Sequence, residues 1–336
     1  MECVMRIAVV SIGLRVPTDP ARWITVPPQG YSGVHWVVAH LVDGLLGLGH
    51  HVFLLGAPGS PMDHPRLTVV DAGEVEDTRA WLTAVDVDVV HDHSCGQLGA
   101  IGLPYVSTHH MTGRPDDPRN CVYLSHAQRR AAGSAGAPVV RIPVNEAHYE
   151  FSRAKDDYLL FLGRISTFKG VYEAAAFAHA AGRPLVVAGP SWEDDYRHRI
   201  ESDYKSTVDF VGEVGGQRRV ALIARAAAVM VLSQTVMGPW GARWCEPGAT
   251  VVSEAAVSGT PVVATGNGCL PEIASLVGAI VPEGASFTPA QASAVLAGLP
   301  KPDDVRAAAL AQWGHLKIAR QHEDLYRRVC GGEQWT

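Results

Sequence analysis

Short apolar runs alternate with stretches of helical periodicity along almost the whole chain. Residues 6–12, RIAVVSI, form an apolar run too short for helical amphipathicity and predict a buried parallel strand. From Gly33 onward Val34, Val37, Val38, Leu41, Leu45 and Leu48 recur at helical spacing, and Gly49 ends the helix. HVFLLG reads as a second strand, followed by LTVVDA, a helix over residues 75–85, the strand VDVVHDH, a short helix and PYVSTHH. The pattern restarts at DYLLFLG and continues through a helix over residues 171–181, PLVVAG, a Tyr- and Asp-rich helix, VDFVG, the helix ALIARAAA and VMVLS. Residues 303–329 read as helical and mixed in charge, with Trp313, Leu316, Ile318, Leu325 and Tyr326 as packing positions. Alternation of this kind predicts an α/β chain of two doubly wound, Rossmann-like parallel sheets.

The 336 residues are too many for one compact core and fit two domains. The restart places an acceptor-side domain at residues 1–150, a second domain at 151–312 and a C-terminal helix at 313–336 packing back towards the first. Hydrophobic residues make up 47% and charged residues 18%, as in a globular protein with well-filled interiors. The net charge is −6 and the pI about 6.2. No basic tract stands out, so nucleic acid is not an expected partner, and an anionic ligand needs a local cluster of cations. The six cysteines, Cys3, Cys95, Cys121, Cys245, Cys269 and Cys330, show no CxxC pair. With no signal peptide and no apolar run of membrane-spanning length, this predicts free thiols in a reducing cytoplasm and no stable membrane anchoring.

In doubly wound sheets ligands bind beyond the carboxyl ends of the strands. In the first half those positions carry a long Pro-rich loop ending in GYSG, His91-Asp92-His93, and the adjacent His109 and His110, of which only one can face a crevice. HDH has the look of a metal site, but a strand turns Asp92 away from His91 and His93, and no metal is expected there. The first strand leads into SIGLRVP, so a GxGxxG dinucleotide fingerprint is absent from its expected place. In the second half GRISTFKG puts Arg164 and Lys169 beyond a strand, where two cations can neutralise a diphosphate; a solvated loop is the plainer reading. Glu246 and Glu254 lie eight positions apart in EPGATVVSE, a loop turning into a helix at Gly248. A helix start suits a phosphate, Glu254 can accept from a vicinal diol, and Glu246 can hold other hydroxyls. The plainer reading here is an ordinary turn with two surface glutamates. Two similar domains imply a central cleft, with the donor on the second domain and the acceptor on the first.

These residues resemble the retaining glycosyltransferases of family 4, which have the GT-B fold. PPQGYSGVHWVVAHLVDGLLGLGHHV, FLGRISTFKG, PLVVAG, FVGEV, WCEP, SEA, SGTPVVA and LPE stand in the family's order and approximate spacing over nearly the whole chain. The resemblance implies that Arg164 and Lys169, beside Gly163, bind the diphosphate of a nucleotide sugar. It implies that Glu254 holds the ribose and Glu246 the transferred sugar, with amides at Gly248, Ala249 and Thr250 reaching phosphate or sugar oxygens. Val214 would meet the nucleobase, Gly33 would approach the diphosphate, and His110, not His109, would lie near the reacting sugar. His110, Arg164, Lys169 and Glu246 are the implied catalytic set; no metal and no cofactor beyond a UDP, GDP or dTDP sugar is implied. Departures from the pattern are Gly248 for Phe, Ala249 for Gly, Ser32 for Gly, His35 for Glu, Cys269 for Gly, and RIPVNEAH for the usual Asn-Gly-Val-Asp. TVMGPWGARWC, between Ser233 and Glu246, is longer than the family's link and is expected to shape donor or acceptor choice. Trp23, Tyr31, His35, His93 and His109 are the acceptor-side candidates. Compact size and high Ala, Gly and Arg content point to decoration of a small molecule or oligosaccharide antibiotic, of the avilamycin type. A nucleotide-sugar 2-epimerase of the same architecture, or a non-catalytic nucleotide-sugar binder, are the alternatives.

Overall fold

A computed structural model describes residues 4–17, 19–238, 241–284 and 286–336; Cys3 and, in the long link, Pro239 and Trp240 lie outside them. The chain divides into two units, Met1–Asn145 with Trp313–Thr336, and Glu146–Gln312.

The first unit comprises β1 (Arg6–Val10), β2 (Arg15–Val16), β3 (Asp19–Trp23), α1 (Gly33–Gly47), β4 (His51–Leu55), β5 (Leu67–Val69), α2 (Val75–Ala84), β6 (Val89–Asp92), β7 (Tyr105–His109), β8 (Cys121–Tyr123) and α3 (His126–Ala131). Its sheet runs β5-β4-β1-β6-β7-β8 with every pairing parallel. Burial of β1 from Ile7 to Val10 explains why that strand reads as an unbroken apolar run. The Pro-rich segment is not featureless, since β2 and β3 pair as an antiparallel hairpin. The short helix expected between β6 and β7 is absent. Cys95, Gly96 and Gly99 adopt φ values of 58°, 89° and 63°, and left-handed backbone cannot continue a right-handed helix.

The second unit repeats the topology with β9 (Leu159–Leu162), α4 (Val171–Ala181), β10 (Leu185–Ala188), α5 (Asp194–Asp203), β11 (Val208–Gly212), α6 (Gly216–Arg225), β12 (Ala228–Val231), α7 (Thr250–Val257), β13 (Val262–Thr265), α8 (Leu270–Ile273), β14 (Gly278–Val281), α9 (Pro289–Ala297) and α10 (Pro302–Trp313). The order is β11-β10-β9-β12-β13-β14, again all parallel. In each sheet the order reverses beside the first strand, so the loops after β9 and β12 diverge and leave a crevice at their carboxyl ends.

After α10 the chain returns to the first unit as α11 (His315–Cys330), which packs on α1. Ile318, Ala319, His322, Leu325, Tyr326 and Val329 form its buried stripe at helical spacing. Leu316, expected to pack, is 38% exposed but lays its Cδ2 over Gly47 of α1, where a Cβ would come within 2.7 Å of it. Trp335 closes the unit, its indole N–H donating to the Cys121 carbonyl at 2.8 Å.

α11 also completes a buried group of imidazoles. His91 bonds Tyr326 Oη at 2.7 Å through Nδ1 and Thr108 Oγ1 at 2.8 Å through Nε2. Its ring lies 4.1 Å from that of His93 and 4.7 Å from that of His322. HDH therefore puts its two histidines side by side inside the fold. Desolvation pushes His322 and His110 down to about 3 and His35 to about 4, and lowers His91 and His93, which would also repel their neighbours if charged.

These depressed values make the first unit acid-sensitive. A histidine near 6.5 in the unfolded chain takes up a proton that the folded unit refuses, so stability holds above pH 6.5 and falls as pH drops towards 4. The urea midpoint should be flat from pH 8 to 7 and decline steeply below 6.5, with more than one proton taken up on unfolding. His322→Phe should reduce that slope; a flat profile down to pH 4 would show that the imidazoles are not held neutral. A second expectation concerns Ala249, which enters α7 at φ 48° and ψ 68°. A side chain in the left-handed region costs roughly 1–2 kcal/mol, so Ala249→Gly should raise the stability of the second unit by about 1 kcal/mol in denaturant titration.

Candidate functional site

The crevice of the second unit begins where β9 ends. Gly163 and Arg164 lead into a short turn, Thr167–Lys169, and then into Gly170, whose φ of 70° brings it against the Leu232 carbonyl after β12. A Cβ there would collide with that oxygen, so glycine lets the two diverging loops touch. The contact sets Lys169 opposite Glu246. The ammonium donates to both carboxylate oxygens, at 2.9 Å to Oε1 and 2.7 Å to Oε2. Ser233 Oγ donates to Oε2 at 2.6 Å and the Trp244 indole N–H at 3.1 Å. The Glu246 backbone is fixed as well, its N–H donating to Asn267 Oδ1 and its carbonyl accepting from Cys269 N–H, both at 2.8 Å. Burial alone would raise the Glu246 pKa, but the Lys169 charge and the donors from Lys169, Ser233 and Trp244 outweigh it and hold the group below the usual carboxylate range. Glu246 is therefore an ionised, fixed acceptor.

Arg164 also lies near the Phe168 ring. Its guanidinium carbon sits 5.5 Å from the Phe168 ring centre and 4.0 Å from that of Trp192, while Lys169 Nζ lies 5.9 Å from Phe168 and 4.5 Å from Trp244. Two cations thus lie within about 6 Å of one aromatic ring beyond the end of β9. α7 opens at Ala249 without a side-chain cap, so the Thr250 turn presents its amides and the positive end of the helix. Gly248 precedes it, and Val214, after β11, is buried at 5% exposure.

Glu254, on the first turns of α7, belongs to a separate buried group. Arg219 Nη2 donates to its Oε2 at 2.5 Å and Tyr149 Oη donates to its Oε1 at 3.1 Å. Each carboxylate oxygen already has one protein donor, and each keeps further accepting capacity. Burial would lower the Arg219 pKa, but the Glu254 charge keeps it above its ordinary value. Burial, followed by the Glu254 charge, drives the Tyr149 hydroxyl well above its own.

The first-unit candidates divide into four places. Gly33 is the first residue of α1, and His35 Nδ1 lies 2.6 Å from the Oγ of Ser32, the residue before that helix. His93 Nδ1 meets His110 Nε2 at 2.9 Å, so these two form one hydrogen-bonded pair after β6 and β7. His109 turns elsewhere, bonding the Gly113 carbonyl at 3.0 Å through Nε2. Trp23, on the hairpin, lies under the Arg15 guanidinium at 3.5 Å, and Tyr31 is half-buried before α1.

The long link is a small hairpin at its base. Met237 and Arg243 bridge antiparallel, and Trp244 N–H donates to the Val236 carbonyl at 2.8 Å. Asn267 Nδ2 ties Thr235 Oγ1 at 2.9 Å to the Trp244 carbonyl at 3.1 Å. The hairpin thereby delivers Trp244 to Glu246. Ser233, Trp244, Asn267, Arg219, Tyr149 and Trp192 carry no motif that assigns them a role. The available signal was positional: Ser233 follows a core strand directly, and Arg219 is the second of two arginines at the start of an amphipathic helix.

The sequence profile of the family described as glycosyl transferases group 1 matches residues 146–297. No curated protein matches the chain. Among solved structures, AviGT4, a glycosyltransferase involved in avilamycin A biosynthesis, is 56% identical, covers 99% of this chain and 100% of its own, and superposes with a TM-score of 0.96. Sucrose-phosphate synthase from Thermosynechococcus elongatus is 18% identical, with 98% and 100% covered and a TM-score of 0.71. HepE of Anabaena, in complex with UDP-glucose, is 17% identical, with 95% and 98% covered and a TM-score of 0.64. At those lower identities the likeness is one of fold. The two parallel-sheet α/β units are those of the GT-B fold, and the chain belongs to the group 1 glycosyltransferases.

Proposed function

We propose that this glycosyltransferase moves a sugar from a nucleotide-diphosphate sugar to an acceptor hydroxyl with retention of anomeric configuration, as a family 4 enzyme. The observation that carries the reading is the Lys169–Glu246 pair at the strand-order reversal, with Arg164 near the same Phe168 ring. A cation, a fixed acceptor and an uncapped helix start suit a diphosphate joined to a polyhydroxylated ring. UDP-glucose bound by HepE supports a nucleotide sugar as donor, with UDP, GDP and dTDP as the candidate carriers. AviGT4, similar along the full length, supports an acceptor from small-molecule or oligosaccharide antibiotic biosynthesis. Free cysteines, and the absence among the described residues of any helix long and apolar enough to cross a membrane, support action in the cytoplasm.

In this reading the bond from the anomeric carbon to the diphosphate oxygen breaks while the acceptor oxygen bonds that carbon from the same face. The acceptor proton passes to the departing diphosphate, so no covalent enzyme intermediate is needed. Charge grows on the leaving group, where Arg164, Lys169 and the start of α7 stabilise it. Those groups supply what a divalent metal would, and the reading calls for no metal and no cofactor. Glu246 accepts sugar hydroxyls, and Glu254 uses its remaining lone pairs for the ribose. His110, held neutral, orients the sugar as a hydrogen-bonding group and carries no charge at neutral pH.

Arg164→Ala and Lys169→Ala should each lower turnover at least 100-fold while the fold persists, in a donor-hydrolysis or transfer assay. Lys169→Ala should also cost about 3 kcal/mol of stability, because it leaves buried Glu246 without its counter-charge; Arg164→Ala should not. Near-normal turnover in either folded variant would sink the assignment. Calorimetric titration should show one of UDP, GDP or dTDP binding below the millimolar range, with Glu254→Ala weakening it about 10- to 100-fold. A donor whose sugar is interconverted while still attached to the nucleotide would mark an epimerase instead. Binding without nucleotide release would mark a non-catalytic binder.

A further inference from the structure

We propose that Trp192 is a positioning residue for Arg164, holding the guanidinium at the diphosphate by stacking on it. The inference rests on the donor-site reading above and goes beyond it. Trp192 is 52% exposed, among the few large apolar side chains so open to solvent, and it stands at the carboxyl end of the sheet. The guanidinium of Arg164 covers its ring at 4.0 Å, within the range of cation–π attraction. A side chain with that much apolar surface in water is explained by what it holds.

The backbone around the stack is built to keep it in register. Ile165 N–H donates to the Pro190 carbonyl at 2.9 Å, Trp192 N–H donates to the Ile165 carbonyl at 3.1 Å, and Ile165 bridges Ser191 in parallel. One step further, the Thr167 N–H and hydroxyl both donate to Glu193 Oε1, at 3.1 and 3.3 Å. The loop after β10 is thus fastened to the loop after β9 at Ile165 and Thr167, just past Arg164. Stacking engages the flat face of a guanidinium and leaves its N–H donors arranged round the edge. That is the orientation a bidentate grip on phosphate requires, and it restrains a long side chain before the anion arrives. Lys169 is held differently, by a carboxylate.

The test is a double-mutant cycle on the full chain, read by calorimetry with whichever of UDP, GDP or dTDP binds, and with the matching nucleoside. Trp192→Ala and Trp192→Leu should each weaken the nucleoside diphosphate about fivefold. Trp192→Phe should stay within about twofold, and nucleoside affinity should not change, because the effect runs through the phosphate contact. Placed on Arg164→Ala, the tryptophan substitutions should have no further effect. Folded Trp192→Ala and Trp192→Leu variants with unchanged diphosphate affinity would overturn the proposal. So would a loss that persists in the Arg164→Ala background or appears with the nucleoside, since Trp192 would then touch the ligand itself. If Arg164→Ala alone leaves diphosphate binding unchanged, the donor-site reading fails, and that outcome is distinct from a neutral Trp192.

Discussion

The ion pair between Lys169 and Glu246 is the interaction on which the carboxyl end of the second sheet depends. Taking two charges out of water is costly, and a buried pair survives only where geometry is good and the remaining lone pairs are filled. Here Ser233 and Trp244 fill those of Oε2 while Oε1, bonded by Lys169, keeps room for a further donor; Asn267 and Cys269 fix the Glu246 backbone, and Gly170 lets the loop carrying Lys169 close on the end of β12. Gly268 adds a constraint: at φ 53° it packs on the Glu246 backbone, where a Cβ would strike both N and O. Four separate segments converge to hold one carboxylate. The outlay of structure on that carboxylate exceeds what an ordinary surface glutamate receives.

A second consequence follows from how charge is distributed. Lys169 faces a carboxylate, Arg164 faces rings, and Glu254 faces an arginine and a tyrosine. The three groups have different stiffness and different residual charge, although a linear motif would treat them alike. In the first unit His110, bonded to His93, is polar and uncharged at neutral pH.

Much of the fold was legible because its central strands are buried on both faces and its helices are amphipathic, so period and length alone separate them. The second sheet repeated the first closely enough for the restart at DYLLFLG to be visible. Short elements escaped: β8 has three residues, and the β2-β3 hairpin lies in a segment whose prolines read as loop. A helix was expected where Cys95 adopts left-handed backbone, since composition does not reveal φ at a non-glycine residue. Arg164, Lys169, Glu246 and Glu254 could be picked out by spacing from strand ends. Their partners could not, because Arg219, Tyr149 and Trp192 lie 35, 105 and 28 residues from the groups they touch, and pairings so remote leave no periodic trace. The long link drew notice by its length alone; that it carries Trp244 to Glu246 is a fact of its return path.

The two units differ in how the chain supplies them. Glu146–Gln312 is contiguous, so every strand and helix of that unit has been synthesised once residue 312 appears. The first unit lacks α11 and Trp335 until residues 315–335 are made, and its imidazole group lacks Tyr326 and His322 until then. During synthesis the amino-terminal half therefore waits with an open seam along α1, while the half made later can close first. The helix that completes the unit begun first is thus translated after the whole of the other unit.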